Sequence, residues 1–501
     1  MSFAATLCRG QLGLAAPLVQ VEVNLGAGLP TFSIVGLPEA AVRESKERVR
    51  AALANSGFEF PAGRITVNLA PADLPKEGGR FDLPIALGIL IASGQVRPAS
   101  GTLAHEYYGE LGLTGELKPV RGLLLAAAHA RTAAHAVIVP SANVAEVAKG
   151  QALGVRGAGH LLEVCNHVRG TRPLASPAAA PLPRATPAEL DLADVRGQAQ
   201  ARRALAIAAA GAHGLLLVGP PGSGKSMLAQ RLPGLLPPLG QAEALEIAMI
   251  ASVSAQGFDA AGFGRRPFRA PHHTSSAHAL VGGGPQARPG EVSLAHHGVL
   301  FLDELPEFDR RVLESLREPL ETGVIAVARA RLQAQYPAAF QLVAAMNPCP
   351  CGYHGDAGGS CSCTPQQIRA YRARISGPLL DRIDLQLELA RVPARELAAA
   401  PRHFETSAVV GRAVRQARAR QLHRAAVLNG RLDSVQLRSA ARLTPRARAL
   451  LDAAFERLRL SARSYHGVLR VALTIADLAQ RDVIEEAHLA EAVQLRRAGS
   501  A

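Results

Sequence analysis

Eight residues, Gly219-Pro220-Pro221-Gly222-Ser223-Gly224-Lys225-Ser226, have the types and spacing that suit phosphate chemistry. They fit a Gly-x-x-x-x-Gly-Lys-Ser pattern, in which backbone N–H groups and the following helix N-terminus point at phosphate oxygens. On this reading the eight residues bind ATP, Lys225 reaches the β- and γ-phosphates, and Ser226 ligates Mg2+. Lys225 is also the only lysine after Lys149 in a chain that otherwise uses arginine. A compact ammonium fits a phosphate cradle where a guanidinium does not. The plainer alternative is a Gly-rich turn that binds nothing. The loop needs a strand before it and a helix after it. Leu215–Val218 is a short apolar run suited to a buried parallel strand, and Met227–Leu232 suits a helix ended by Pro233 and Gly234.

Further along, residues 298–302 are an apolar strand closing on Asp303 and Glu304. Asp303 is placed to hold Mg2+ through water, and Glu304 to polarise an attacking water. A second apolar run, residues 340–346, ends on Asn347. That amide could bond the γ-phosphate or the water, or could simply open a turn before Pro348. Arg382, in Leu379-Leu380-Asp381-Arg382-Ile383-Asp384, is a candidate for stabilising transition-state charge in a neighbouring subunit's site. Arg470, in a helical run over 468–472, could contact the γ-phosphate from a lid. Glu304, Lys225, Arg382 and Asn347 are thus the candidate catalytic residues.

Four cysteines, Cys349, Cys351, Cys361 and Cys363, fall within fifteen residues as C-x-C-x9-C-x-C. Such density suits tetrahedral Zn2+, although the one-residue spacers are tighter than usual; reduced thiols or a redox pair are the alternatives. Five histidines, His272, His273, His278, His296 and His297, are expected on loops facing solvent or nucleic acid rather than around a metal. Residues 322–332 suggest a β-hairpin whose Arg329 and Arg331 could carry guanidinium groups to DNA phosphates, or could be plainly solvated.

The elements that must position these groups need several domains, since 501 residues exceed one core. Hydrophobic content of 48% and charged content of 19% suit a soluble globular protein. No uninterrupted apolar run of about 18 residues predicts a membrane span. The first residues lack a basic stretch ahead of their apolar ones, so cytoplasm is expected. Net charge is +14, and residues 391–470 hold seventeen Arg against five acids. This excess suggests a polyanion partner such as nucleic acid, or a solvated Arg-rich helical surface. Residues 1–168 mix strand-like runs (19–23, 31–36, 64–69, 136–140) with a helix over 39–54. Residues 169–190 are a Pro/Ala-rich linker, 191–392 hold the nucleotide motifs, and from 393 to 501 helical periodicity dominates.

Pro75-Lys76-Glu77-Gly78-Gly79-Arg80 and Gly109-Glu110-Leu111 through Pro119-Val120-Arg121-Gly122-Leu123-Leu124 resemble motifs of the Lon-type proteolytic domain. In that resemblance the nucleophilic serine falls on Arg80 and its lysine partner on Leu124, so the dyad is missing and ATP-dependent proteolysis is disfavoured. The nucleotide motifs together resemble an AAA+ ATPase of the Mg-chelatase and replicative-helicase branch. With residues 269–274, 298–308, 344–352 and 461–478, the whole chain resembles the ComM/YifB family of bacterial Mg-chelatase-like proteins. Gly467 and Leu473 depart from its pattern, where basic residues are usual.

The resemblance implies an α/β AAA+ P-loop core with a parallel sheet, a degenerate Lon-like α+β domain before it and a helical lid after it. It implies a hexameric DNA motor, a branch-migration helicase acting in natural transformation or homologous recombination, on single-stranded or branched DNA. The alternative is a Mg-chelatase-type motor that remodels a protein partner for metal insertion.

Overall fold

The computed structural model describes residues 2–99, 104–150, 154–176, 190–284, 287–329, 332–356, 361–393, 405–458 and 461–496. Most of the expected linker, residues 177–189, and Arg331 therefore lie outside the described residues.

The first unit is a mixed sheet. Its strands are β1 (Ser2–Arg9), β2 (Leu18–Gly26), β3 (Thr31–Val35), β4 (Arg64–Ala70) and β5 (His105–Tyr107). A short antiparallel pair, β6 (Glu110–Leu111) and β7 (Leu117–Lys118), stands apart, and β8 (Ala136–Pro140) and β9 (Arg156–Ala158) complete the sheet. The order is β3-β4-β2-β1-β5-β8-β9, with β2 antiparallel to both β1 and β4. Val19, Val21 and Val23 alternate inward along β2, and Val21 pairs with Leu69 and Val23 with Val67 of β4, as a period of two requires. The helix Asp82–Ala92 lies across β1 and β2. A Cβ on its Gly88 would stand 2.6 Å from Val23 Cγ2, so glycine permits the close approach. The expected helix over 39–54 is two pieces, Ala40–Arg43 and Ser45–Asn55.

The second unit holds a parallel sheet with order β11-β14-β17-β10-β18. Its strands are β10 (Leu215–Val218), β11 (Phe268–Arg269), β14 (Val299–Leu302), β17 (Gln341–Met346) and β18 (Leu385–Glu388). Two hairpins are set outside it: β12 (Gly282–Gly283) with β13 (Arg288–Pro289), and β15 (Val324–Arg329) with β16 (Leu332–Pro337). β10, β14 and β17 are buried along their whole length, which is why they are continuous apolar runs rather than alternating ones. Helices follow: Ser407–Ala425, Ser434–Ala440, Pro445–Arg457, Ala462–Leu478 and Glu486–Gln494. They pack with the helix Ala199–Gly211 into one core with β10 and β17. Leu473 is buried within it, so a basic side chain there would meet apolar neighbours, and Gly467 is buried where a Cβ would stand 3.0 Å from Asp384 Oδ1 and 3.2 Å from Arg496 Nη1.

The two units touch through residues of the helix Leu123–Thr132. Leu124 packs with Ala244, Ala248 and Phe263, and Leu125 joins the core formed by β14, β17 and the β15–β16 hairpin. No helix among the described residues is long and apolar enough to cross a membrane.

Candidate functional site

Parallel strands present their C-terminal ends together, and three of those ends carry the candidate residues. β10 runs into Gly219, its neighbour β17 into Asn347, and the next strand, β14, into Asp303. The 219–226 loop then turns into the helix Lys225–Arg231, two residues ahead of the expected Met227 start. Gly222 and Gly224 have φ of 77° and 90°, a left-handed backbone that glycine adopts without strain. Gly219 N–H donates to Met346 O (3.1 Å), tying the loop to β17.

The side chains converge as the spacing requires. The Lys225 ammonium donates to Gly219 O (2.7 Å), Pro220 O (3.0 Å) and Asn347 Oδ1 (3.1 Å). Burial lowers its pKa, and the nearby Asp303 and Glu304 carboxylates oppose that shift. The Ser226 hydroxyl donates to Asp303 Oδ2 (2.7 Å). That oxygen pair is the donor set a hard divalent cation takes from a P-loop protein. Glu304 follows with a left-handed φ of 52°, uncommon for a non-glycine residue, and its N–H donates to Asp303 Oδ1 (2.9 Å). Its side chain is 52% exposed, open enough to meet a water.

Two neighbours were not legible from the motifs. His273 Nδ1 lies 3.0 Å from Glu304 Oε2, so the loop after β11 reaches the candidate base. Gln198 Nε2 donates to Ser223 O (3.2 Å) and Ala390 O (2.7 Å), bracing the loop from the other side. The His273 contact depends on β11 pairing beside β14, and no spacing in the sequence signals it.

Arg382 and Arg470 do not reach this chain's own loop. Arg382 Nη2 pairs with Glu321 Oε1 (2.7 Å), Nη1 donates to Pro378 O (2.7 Å), and the side chain is 9% exposed. Arg463 pairs with the same Glu321 carboxylate. Arg470 donates to Leu432 O (3.3 Å) and lies 3.6 Å from Asp384 Oδ1, within a buried network with His213 and Thr474. The expected hairpin is present as β15 and β16, with Arg329 closing β15 opposite Leu332.

The four cluster cysteines come together immediately after Asn347. Cys349 Sγ is 3.3 Å from Cys351 Sγ and 3.7 Å from Cys361 Sγ, and Cys351 Sγ is 3.6 Å from Cys361 Sγ. With Cys363 the four sulfurs lie within 4.8 Å of one another. All are free thiols. Four sulfurs at ~2.3 Å from a tetrahedral zinc would stand ~3.8 Å apart, so the donor set fits that ion. The backbone N–H of Tyr353 holds the Cys351 thiol down at about 5, toward the thiolate that binds metal. The cluster abuts the phosphate loop: a Cβ on Gly352 would stand 2.7 Å from Pro221 Cδ.

The expectation of solvent- or DNA-facing loops fails for His296 and His297. His296 is 4% exposed, its ring lies 3.9 Å from that of His297, and both rings contact the Glu246 carboxylate (3.1 and 2.8 Å). This trio is not arranged for a metal either. Ala339 N–H donates to His296 Nδ1 (3.0 Å), so the proton of the neutral ring sits on Nε2, the atom that faces Glu246. Burial holds the His296 pKa at about 4, which keeps the ring neutral near pH 7.

The Lon-like positions are equally committed. Arg80 is buried and donates to Gln11 Oε1 (3.0 Å) and Arg121 O (2.9 Å), while Leu124 is packed against the second unit. Neither offers a nucleophile or a base.

A five-stranded parallel sheet that brings Lys225, Ser226, Asp303, Glu304 and Asn347 to adjoining strand ends defines a P-loop fold of the AAA+ class. Family comparisons divide along the same chain: residues 191–397 match magnesium chelatase subunit ChlI, residues 21–143 subunit ChlI of Mg-chelatase, and residues 404–496 its C-terminal region. Competence protein ComM of Haemophilus influenzae is 47% identical over 502 residues, covering 99% of this chain and 98% of that protein. YifB of Salmonella typhimurium is 48% identical over 496 residues, covering 99% and 97%. The magnesium-chelatase 67 kDa subunit of Heliobacterium mobile is 27% identical over 195 residues, 33% of this chain and 29% of that one. The chain belongs to the ComM/YifB family of Mg-chelatase-like AAA+ proteins.

Proposed function

We propose that the chain is an ATP-hydrolysing DNA motor of the cytoplasm, assembled as a hexameric ring, whose task is branch migration in transformation or recombination. The observation that carries the ATPase reading is the convergence of Lys225, Ser226, Asp303, Glu304 and Asn347 on adjoining strand ends. ATP would lie along Gly219–Ser226, with Ser226 and Asp303 holding Mg2+. Held by those two oxygens, the ion would supply positive charge to offset the charge that develops on the phosphates. Lys225 leaves its loop carbonyls for phosphate oxygens, Asn347 fixes the γ-phosphate or the water, and Glu304 takes the water's proton. Arg382 would serve the neighbouring subunit, which accords with its position away from the loop of its own chain. Arg470 would approach the nucleotide through movement of the helical lid. The division at residues 169–190 and 392 makes the unit 191–392 the motor, with 1–168 before it and 393–501 as lid.

The DNA reading draws on the net charge of +14, on Arg329 at the end of β15 and Arg331 two positions on in the sequence, and on the likeness to the competence protein of Haemophilus. Its test is ATP turnover with and without branched DNA. We expect stimulation by DNA, and an affinity whose logarithm falls linearly with log salt by roughly 0.9 per neutralised phosphate. An ATPase rate indifferent to DNA, with salt-independent binding, would favour the alternative of a metal-insertion motor acting on a protein partner. The similarity to the Heliobacterium subunit is what keeps that second reading in view.

Cys349, Cys351, Cys361 and Cys363 would hold a structural zinc behind the phosphate loop. Elemental analysis should find about one zinc per chain, and a chelator should lower the thermal midpoint. Metal-free protein of unchanged stability would make the cluster reduced thiols.

A further inference from the structure

A cavity of about 330 Å³ lies in the seam between the first unit and the nucleotide-binding unit, away from the phosphate loop. Gln11, Arg80, Glu110 and Arg121 wall it on one side, and Ser252 and Arg288 on the other. The charge on Arg80 is the unusual feature. The residue is 7% exposed, its hydrogen bonds go to neutral acceptors, and the Glu77 carboxylate at the cavity rim acts on it only at longer range, with no carboxylate among the described residues within 4.0 Å. Buried guanidinium groups are ordinarily paired, because removing a charge from water is costly unless an opposite charge replaces the solvent. Arg121 and Arg288 line the same cavity and likewise form no ion pair among the described residues. The Ser252 hydroxyl is buried at its wall without a hydrogen-bond partner among the described residues. Three arginines and a buried hydroxyl therefore line one space.

Glu110 shares a wall with Arg80 and Arg121, and its carboxylate leans over Gly79, where a Cβ would stand 2.4 Å from Glu110 Oε2, so the cavity also offers acceptors to hydroxyl groups. We propose that the cavity is a binding site for a small phosphate ester bearing hydroxyl groups, of sugar-phosphate or nucleoside-monophosphate size. The arginines take the phosphate through bidentate charge-assisted hydrogen bonds, and Glu110 accepts from the hydroxyls. The volume falls in the range of small-molecule pockets. Because Arg288 and Ser252 belong to the nucleotide-binding unit, the ligand ties the two units together. It does so beside Tyr336 of β16, at the base of the hairpin that carries Arg329. The site stands independently of the DNA reading.

The test uses full-length Lys225→Ala protein, so that the phosphate loop does not compete, and titration calorimetry with ribose 5-phosphate. Saturable binding at about one site per chain is expected. Inorganic phosphate should bind about tenfold more weakly and ribose not at all. Arg121→Gln and Arg288→Gln, whose side chains hold no ion pair among the described residues, should each weaken ribose 5-phosphate about tenfold. Glu110→Gln should narrow the difference between the ester and inorganic phosphate. Absence of ribose 5-phosphate binding at 10 mM, as ~10 mM exceeds a weak metabolite affinity, would overturn the proposal. So would binding unchanged in both arginine variants while their thermal melts match the parent, or equal binding of inorganic phosphate.

Discussion

Glu304→Gln should bind ATP about as well as the parent and hydrolyse it about 10²–10⁴-fold more slowly, the range for loss of a positioned general base. Glutamine keeps the size and hydrogen-bonding reach of the side chain but cannot accept the water's proton. Nothing in the grip on the phosphates passes through Glu304, because Lys225, Ser226 and Asn347 hold one another or Asp303 instead. Lys225→Ala makes the contrast: it removes the ammonium beside Gly219, Pro220 and Asn347, and should lose ATP binding itself. Nucleotide titration and single-turnover hydrolysis on the two variants separate the roles. Hydrolysis at the parental rate by Glu304→Gln would mean that the end of β14 is not the catalytic edge.

Arg382→Ala should lower turnover about 10³–10⁵-fold, as removal of a trans-acting arginine does, while leaving ATP binding largely intact. Arg382 pairs within its own chain with Glu321, which Arg463 also contacts, so service to a neighbour requires that pair to open. Mixing Arg382→Ala with Lys225→Ala subunits provides the decisive control. Each variant alone lacks one half of every site, whereas mixed assemblies contain interfaces with both halves intact, and activity should partly return. Parental turnover should also rise steeply with protein concentration. Full activity in a monomer, independent of concentration, would contradict the assignment.

The candidate site was legible because its signals are local. Leu215–Val218 and the stretches before Asp303 and Asn347 are apolar runs that end on chemistry-bearing residues, and parallel pairing sets those ends side by side. The helix Asp82–Ala92 was harder to see. It is buried on nearly every side, so it lacks the amphipathic period that marks a surface helix. The break at Glu44 also left no clear mark, since Ala40–Arg43 and Ser45–Asn55 share one helical composition. Contacts set by sheet order escaped altogether: His273 meets Glu304 across 31 positions, and His296 meets Glu246 across fifty. Arg418 shows the limit of charge counting. Within an Arg-rich helix it donates to Ala209 O (2.8 Å) and is largely buried, burial pressing its pKa down to about 10, so it serves the packing of the C-terminal helices and not an outer basic face.

The DNA-motor account is tested most directly by incubating branched duplex DNA with protein, ATP and Mg2+, and separating products by size. The parent should resolve the junction into separated arms only when ATP is hydrolysed. Glu304→Gln should bind the junction and leave it whole. A parent that hydrolyses ATP yet never moves the branch, or a Glu304→Gln protein that moves it equally well, would contradict the account.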